Sequence, residues 1–139
     1  MLRVSLANFV NYKVLGDVSI LPVEETHPYE PDIAIIEKED HLGIRIDIEI
    51  DEPYTGYEQK AIHYIGCGDE YRDANMCNLG WIVIRFSEKQ VYTEADKCIG
   101  YIMYIMSQID SSLPCSTFVS PQADKKWTST EAVIMAAKG

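Results

Sequence analysis

The strongest constraint on the fold is a strict alternation of apolar and charged residues at positions 44–51. Isoleucine occupies every even position of this run, and a charged residue occupies every odd one. Successive side chains of a β-strand point to opposite faces of the sheet, so the pattern predicts a strand with one apolar and one charged face. The charged face carries one basic and three acidic side chains: Arg45, Asp47, Glu49 and Asp51.

A second apolar run precedes this strand and predicts its hairpin partner. Residues 31–37 are largely apolar, and residues 40–43 (Asp-His-Leu-Gly) supply a turn. If the turn is centred between its first two residues, Asp32 lies opposite Glu49 and the isoleucines of the two strands pair with each other. A slip of two residues would set Asp32 opposite Asp51 instead. Asp32 faces a carboxylate in either register.

The following residues predict two helices and one further strand. Residues 69–78 are predicted to form a helix with Asp69 as its N-cap and Gly80 just past its end. Residues 81–86 are almost entirely apolar, which is typical of a strand buried on both faces. Residues 94–109 carry apolar side chains at intervals of three and four, as a core helix requires. Because the strand at 81–86 follows a helical crossover, it should run parallel to its neighbour, which predicts an α/β fold with a mixed sheet.

The flanking segments are predicted to belong to the same domain. A near capping box, Thr93-Glu94-Ala95-Asp96, should open the helix at 94–109. Residues 1–26 contain β-formers and predict two short strands, and residues 111–139 predict a loop and a short helix capped by Thr128. With 139 residues, 47% of them apolar, the chain is the size of one domain, 1–139, with its core at about 28–110.

The facing carboxylates of Asp32, Glu49 and Asp51 suggest a functional site. Carboxylates this close repel one another, so they must take up protons, pair with cations or bind a metal ion. A ligand set made only of oxygen atoms suits a hard divalent ion such as Mg²⁺ or Mn²⁺. The simpler interpretation is a solvated strand face whose charges serve solubility alone.

An ordered series of motifs runs through residues 28–110. In chain order the motifs are Pro31-Asp32, Glu49-Ile50-Asp51, His63, Asp69-x-x-Arg72-Asp73 and Gly80-Trp81-Ile82-Val83-Ile84-Arg85-Phe86. This series resembles the PD-(D/E)xK, restriction-endonuclease-like nucleases, and among them the short-patch-repair-like endonuclease branch. The resemblance implies a three-layer core in which helices flank a mixed central β-sheet.

The same resemblance implies a divalent-metal-dependent endonuclease that hydrolyses phosphodiester bonds of DNA. Asp32, Glu49 and the main-chain carbonyl of Ile50 would hold Mg²⁺ or Mn²⁺. The ion would lower the pKa of a bound water and neutralise charge that builds up on the phosphate.

The sequence departs from the family pattern at Asp51, which stands where the family carries a catalytic lysine. Lys60, His63 or Arg72 would then supply the missing cation from a neighbouring element. Each also has a simpler interpretation. Lys60 would be a solvated loop residue, His63 a structural histidine, and Arg72 the partner of Asp69 on its own helix.

The net charge of −10, from 22 acidic and 12 basic residues, supports hypotheses besides an active nuclease. Most proteins that bind duplex DNA are basic, because cations set against phosphates supply much of the affinity. The chain could therefore be a nuclease fold that does not cleave, acting as an accessory subunit of a mobile-element, repair or restriction assembly, with a protein partner or a second copy of the chain. Strong acidity also fits an interaction protein of unrelated fold, and paired carboxylates fit a glycosidase-like site.

The sequence also predicts where the protein works. No apolar run approaches the roughly 20 residues of a membrane-spanning helix. The four cysteines show no paired spacing of the kind that a disulfide framework or a zinc module uses. We therefore expect a cytoplasmic protein with no membrane partner.

Overall fold

The computed structural model of the chain describes residues 11–22, 25–39, 41–52, 68–113 and residue 121. These residues form four strands and three helices, namely β1 Tyr12–Leu15, β2 Ile33–Glu37, β3 Arg45–Asp51, α1 Asp69–Asn78, β4 Ile82–Ser87, α2 Glu88–Thr93 and α3 Ala95–Ile109. None of the helices within these ranges has the length and apolar character needed to cross a bilayer. The short final helix predicted at Thr128 lies outside the described residues.

The four strands form one sheet in the order β1-β2-β3-β4. The pairings of β1 with β2 and of β2 with β3 are antiparallel, whereas β4 runs parallel to β3. The predictions of an α/β fold, a mixed sheet and a parallel β4 are therefore confirmed. The restriction-endonuclease-like identity of this core stays a prediction.

The β2–β3 hairpin has the register that the isoleucine pattern predicts. Ile33 pairs with Ile48 and Ile35 pairs with Ile46, so the two-residue slip does not occur. Glu37 also stabilises the turn, because its Oε2 atom accepts hydrogen bonds from the backbone N–H groups of Leu42 (2.9 Å) and Ile44 (3.4 Å). A two-residue slip would instead pair Ile33 with Ile50 and would shift the turn away from these contacts.

Helices cover both faces of the sheet. The isoleucine face of β3 packs against α3, whose buried residues Cys98, Ile102 and Met106 belong to the same apolar cluster as Ile46 and Ile48. On the opposite face a smaller cluster joins Met76 of α1 to Ala34 and Trp81. The prediction that α3 is a core helix is confirmed, and β4 contributes side chains to both clusters, as its apolar run predicts. The charged face of β3 therefore lies beneath α1.

The helix starts differ from the sequence predictions. Asp69 is not the N-cap of α1, since Gly68 takes that position with φ of 104°. The predicted capping box at Thr93 is also wrong, because the Thr93 hydroxyl donates to the carbonyl of Lys89 at 2.8 Å. The actual capping box lies earlier, where the Ser87 side chain accepts from the Gln90 N–H and opens α2.

The N-terminal segment forms less sheet than predicted. The sequence predicts two strands in residues 1–26, and β1 is one of them. In place of the second strand, the described residues form a single β-bridge between Ile20 and Tyr29. Residues 1–10 lie outside the described part of the chain. The bridge brings Tyr29 to the face of the sheet that α1 covers, where it contacts Arg72.

Candidate functional site

The centre of the charged strand face is buried. Asp47 has no exposed surface and Glu49 is only 6% exposed, whereas Arg45 near the start of β3 is exposed and Asp51 at its end is half-buried. A solvated face that serves solubility alone would leave these carboxylates in water. That interpretation is wrong for Asp47 and Glu49, because α1 packs over them.

Arg72 of α1 places a cation against these two carboxylates. Its Nη2 atom lies 2.5 Å from Oε1 of Glu49, and its Nη1 atom lies 3.5 Å from Oδ2 of Asp47. The guanidinium also stacks on the ring of Tyr29, with Cζ 5.2 Å from the ring centroid. Arg72 therefore reaches across to β3 rather than serving only as a partner of Asp69 on its own helix.

Hydrogen bonding around Arg72 is incomplete. Nη1 of Arg72 is buried and makes no hydrogen bond to any described residue. Both oxygens of Asp47 are also buried, and the hydrogen bond between the carboxyl groups of Asp47 and Glu49 requires a proton that the pair retains. Buried polar atoms without partners are costly, and most folded proteins contain few of them. Asp47 and Arg72 therefore lie close to each other without forming the bond that their charges favour.

Arg85 of β4 forms a second, fully bonded cluster that sequence reasoning missed. Its Nε and Nη2 atoms bind the two carboxylate oxygens of Asp73 at 2.8 and 2.7 Å, and Nη1 binds Asp51 at 2.6 Å. Oδ1 of Asp69 also lies near this guanidinium, at 3.8 Å from Nη2. The signal that could have revealed Arg85 was a single arginine in an otherwise apolar strand.

This cluster includes Asp51, which stands where the nucleases that the chain resembles carry lysine. Asp51 cannot supply a cation, but its carboxylate binds the guanidinium of Arg85. Arg85 also pairs across the sheet with Glu49 in the β3–β4 register. A positive group therefore does lie beside position 51, contributed by β4. Lys60 and His63, the other two candidates, lie outside the described residues.

Asp32 stands where the predicted register sets it. Its Oδ2 atom accepts a hydrogen bond from the backbone N–H of Ile50 at 2.7 Å, and its side chain is exposed. This bond fixes one oxygen of Asp32 against the end of β3, next to Glu49. The other oxygen, Oδ1, is not used in that bond.

Asp32 and Glu49 line the same cleft, which has a volume of about 390 Å³. Ile50 and both arginines, Arg72 and Arg85, also contribute to its wall. Its acidic side chains are Glu30, Asp32, Glu49, Glu52 and Asp69. The cleft is therefore more acidic than basic, like the chain as a whole.

Burial changes the acidity of the inner carboxyl groups. The pKa of Glu49 is raised to about 9, chiefly by burial and then by neighbouring Asp47, while Arg72 acts in the opposite direction. Burial also raises the pKa of Asp47. At neutral pH the pair therefore keeps a proton. For Arg85, burial acts to lower the pKa, but Asp73, Asp51 and Asp69 raise it overall.

The donor set at Asp32 and Glu49 fits Mg²⁺ or Mn²⁺. Mg²⁺ sites commonly use one or two carboxylates and complete their octahedron with water and substrate oxygens. Asp32 and Glu49 each use one oxygen in the bonds to Ile50 and Arg72, and an ion bound at Glu49 would displace the proton that this carboxyl group retains. Among the described residues, no three His, Cys, Asp or Glu side chains converge as a complete protein cage. Any ion here would therefore be held mainly by two carboxylates and water.

Comparisons with known proteins add no further assignment. No protein-family model, curated protein or solved structure matches the chain. The resemblance to PD-(D/E)xK nucleases therefore rests on the residues of the motif series alone.

Proposed function

We propose that the chain is a divalent-metal-dependent endonuclease that hydrolyses phosphodiester bonds of DNA. The observation that carries this proposal is the meeting of Asp32 and Glu49 in one cleft with two arginines. The two carboxylates come from neighbouring strands and suit a hard cation, while guanidinium groups suit phosphate oxygens.

Asp32, Glu49 and the Ile50 carbonyl would hold the ion. When bound, the ion supplies a water of lowered pKa and offsets charge on the phosphate. The protein contributes the fixed position of Asp32, which the Ile50 N–H holds at 2.7 Å. It also contributes the guanidinium of Arg85, which three aspartates hold at the cleft wall.

The experiment is a nicking assay on supercoiled plasmid DNA with Mn²⁺ or Mg²⁺. Asp32→Asn and Glu49→Gln keep the shape of each side chain but remove a ligand charge, so each should abolish nicking. The matched control is Glu88→Gln, because Glu88 is exposed and lies on α2 away from the cleft. Equal activity in wild type and both site variants would show that the nicking comes from a contaminating nuclease.

A second function is favoured by the two arginine pairs. Arg72 engages Glu49, and Arg85 engages Asp51 at the position of the family's lysine. These bonds suit a nuclease fold that no longer cleaves and acts as an accessory subunit of a mobile-element, repair or restriction assembly. An accessory subunit of this kind should neither bind Mn²⁺ nor gain thermal stability from it. The enzyme should bind Mn²⁺ and unfold at a higher temperature when Mn²⁺ is present.

A further inference from the structure

We propose that Asp47 is a positioning residue, which takes over the hydrogen bond of Arg72 when Glu49 engages a metal ion. This inference rests on the proposed function, since it concerns how Glu49 becomes available as a ligand. Asp47 touches neither substrate nor metal in the proposal and acts only through Arg72.

The first step concerns competition for Glu49. Arg72 lies 2.5 Å from Oε1 of Glu49, so the guanidinium occupies one oxygen of the carboxyl group that an ion would bind. Two cations on one buried carboxylate repel each other strongly, because the surroundings screen charge poorly. Arg72 must therefore weaken its hold on Glu49 before Glu49 can serve fully as a ligand.

The second step concerns where Arg72 can go. Nη1 of Arg72 lies 3.5 Å from Oδ2 of Asp47, which is longer than a normal charged hydrogen bond of about 2.7–2.9 Å. A shift of under about 1 Å would close this gap. Asp47 is fully buried, and Nη1 of Arg72 makes no hydrogen bond to any described residue. Asp47 thus offers an acceptor beside an unused donor.

The third step concerns the path between the two positions. The guanidinium lies over the ring of Tyr29, with Cζ 5.2 Å from the centroid. The hydroxyl of Tyr29 accepts a hydrogen bond from Asn75 on the same helix as Arg72, at 3.1 Å. A ring held in this way lets the flat guanidinium slide between Glu49 and Asp47 while it keeps its stacking contact.

The test is calorimetric titration of the full chain with MnCl₂, which reads metal affinity without requiring catalysis. Asp47→Val removes the acceptor and should weaken binding by about tenfold, whereas Asp47→Asn keeps an acceptor oxygen and should stay within about threefold of wild type. Both substitutions remove the same charge. A purely electrostatic role for Asp47 predicts equal losses, and that result would overturn the inference while leaving the proposed function intact.

Arg72→Gln provides the second comparison. Without the competing guanidinium, Mn²⁺ should bind about tenfold more tightly, and the difference between Asn and Val at position 47 should disappear. Binding by Arg72→Gln but not by wild type would support the competition at Glu49 and refute metal dependence of the natural chain. Absence of binding in every variant would overturn both proposals. Circular dichroism checks folding, and Asp47→Ala replaces the valine variant if that variant does not fold.

Discussion

Replacing Arg85 with methionine should cost the domain about 3 kcal/mol of folding free energy. Arg85 makes three charged hydrogen bonds of 2.6–2.8 Å to Asp73 and Asp51. Its side chain is 17% exposed, and those of Asp51 and Asp73 are 15% and 27% exposed. Removing one partner from a buried ion pair typically costs about 3–5 kcal/mol, and the partial solvent access of the aspartates favours the lower end.

The measurement is urea-induced unfolding followed by tryptophan fluorescence, with linear extrapolation to water. Lys97→Met is the control, because Lys97 forms an exposed ion pair with Glu94 that should contribute less than about 1 kcal/mol. Adding Asp73→Leu to Arg85→Met should restore part of the stability, since it removes one of the unpaired carboxylates. A loss for Arg85→Met no larger than that for Lys97→Met, with no recovery in the double variant, would refute this account of the cluster.

Three further predictions concern the core, the carboxylate pair and a turn. Ile102→Ala should cost about 2–5 kcal/mol of unfolding free energy in denaturant melts, because Ile102 is fully buried. The control is Ile109→Ala, which should cost under about 1 kcal/mol because Ile109 is partly exposed. Similar losses for the two variants would contradict the packing of α3. Because the Glu49 pKa rises to about 9, the folded state binds the extra proton, so wild-type stability should fall as pH rises from about 5 to about 8. Glu49→Gln should flatten this dependence, and parallel stability curves for the two proteins would exclude Glu49 as its source. Gly80 has φ of 86°, so Gly80→Ala should cost about 1–2 kcal/mol and Gly80→Asn less, as thermal melts can measure.

The hairpin could be predicted from the sequence because its information is local. Alternating isoleucines fix which face of β3 is apolar, and a one-residue slip would turn all of them toward the wrong side. Asp32 follows from the same register, since it is the residue before β2 and must lie near the end of β3. Neither inference needs knowledge of distant contacts.

Arg85 could not be assigned in the same way because its partners come from separate elements. Asp51 ends β3 and Asp73 lies on α1, and they meet only after α1 packs on the sheet. Burial of Asp47 has the same cause, because a charged strand face looks identical in sequence whether a helix or water covers it. The capping box is different, because Ser87 and Gln90 have the spacing that the motif requires and its signal is present in the sequence. The stretch from Thr93 to Asp96 has a similar spacing, and local sequence does not distinguish the two.

The two arginines of the cleft differ in how completely their guanidinium groups are hydrogen-bonded, and this difference bears on which of them has a functional role. Arg85 bonds to two aspartates through three nitrogens, which suits a rigid support for the wall of the cleft. Arg72 leaves Nη1 without a hydrogen bond to any described residue, beside the fully buried Asp47. A domain selected only for stability would gain by replacing Asp47 with an apolar residue, because burying an ionisable group is costly. The proposed movement of Arg72 from Glu49 to Asp47 would offset part of the cost of burying Asp47.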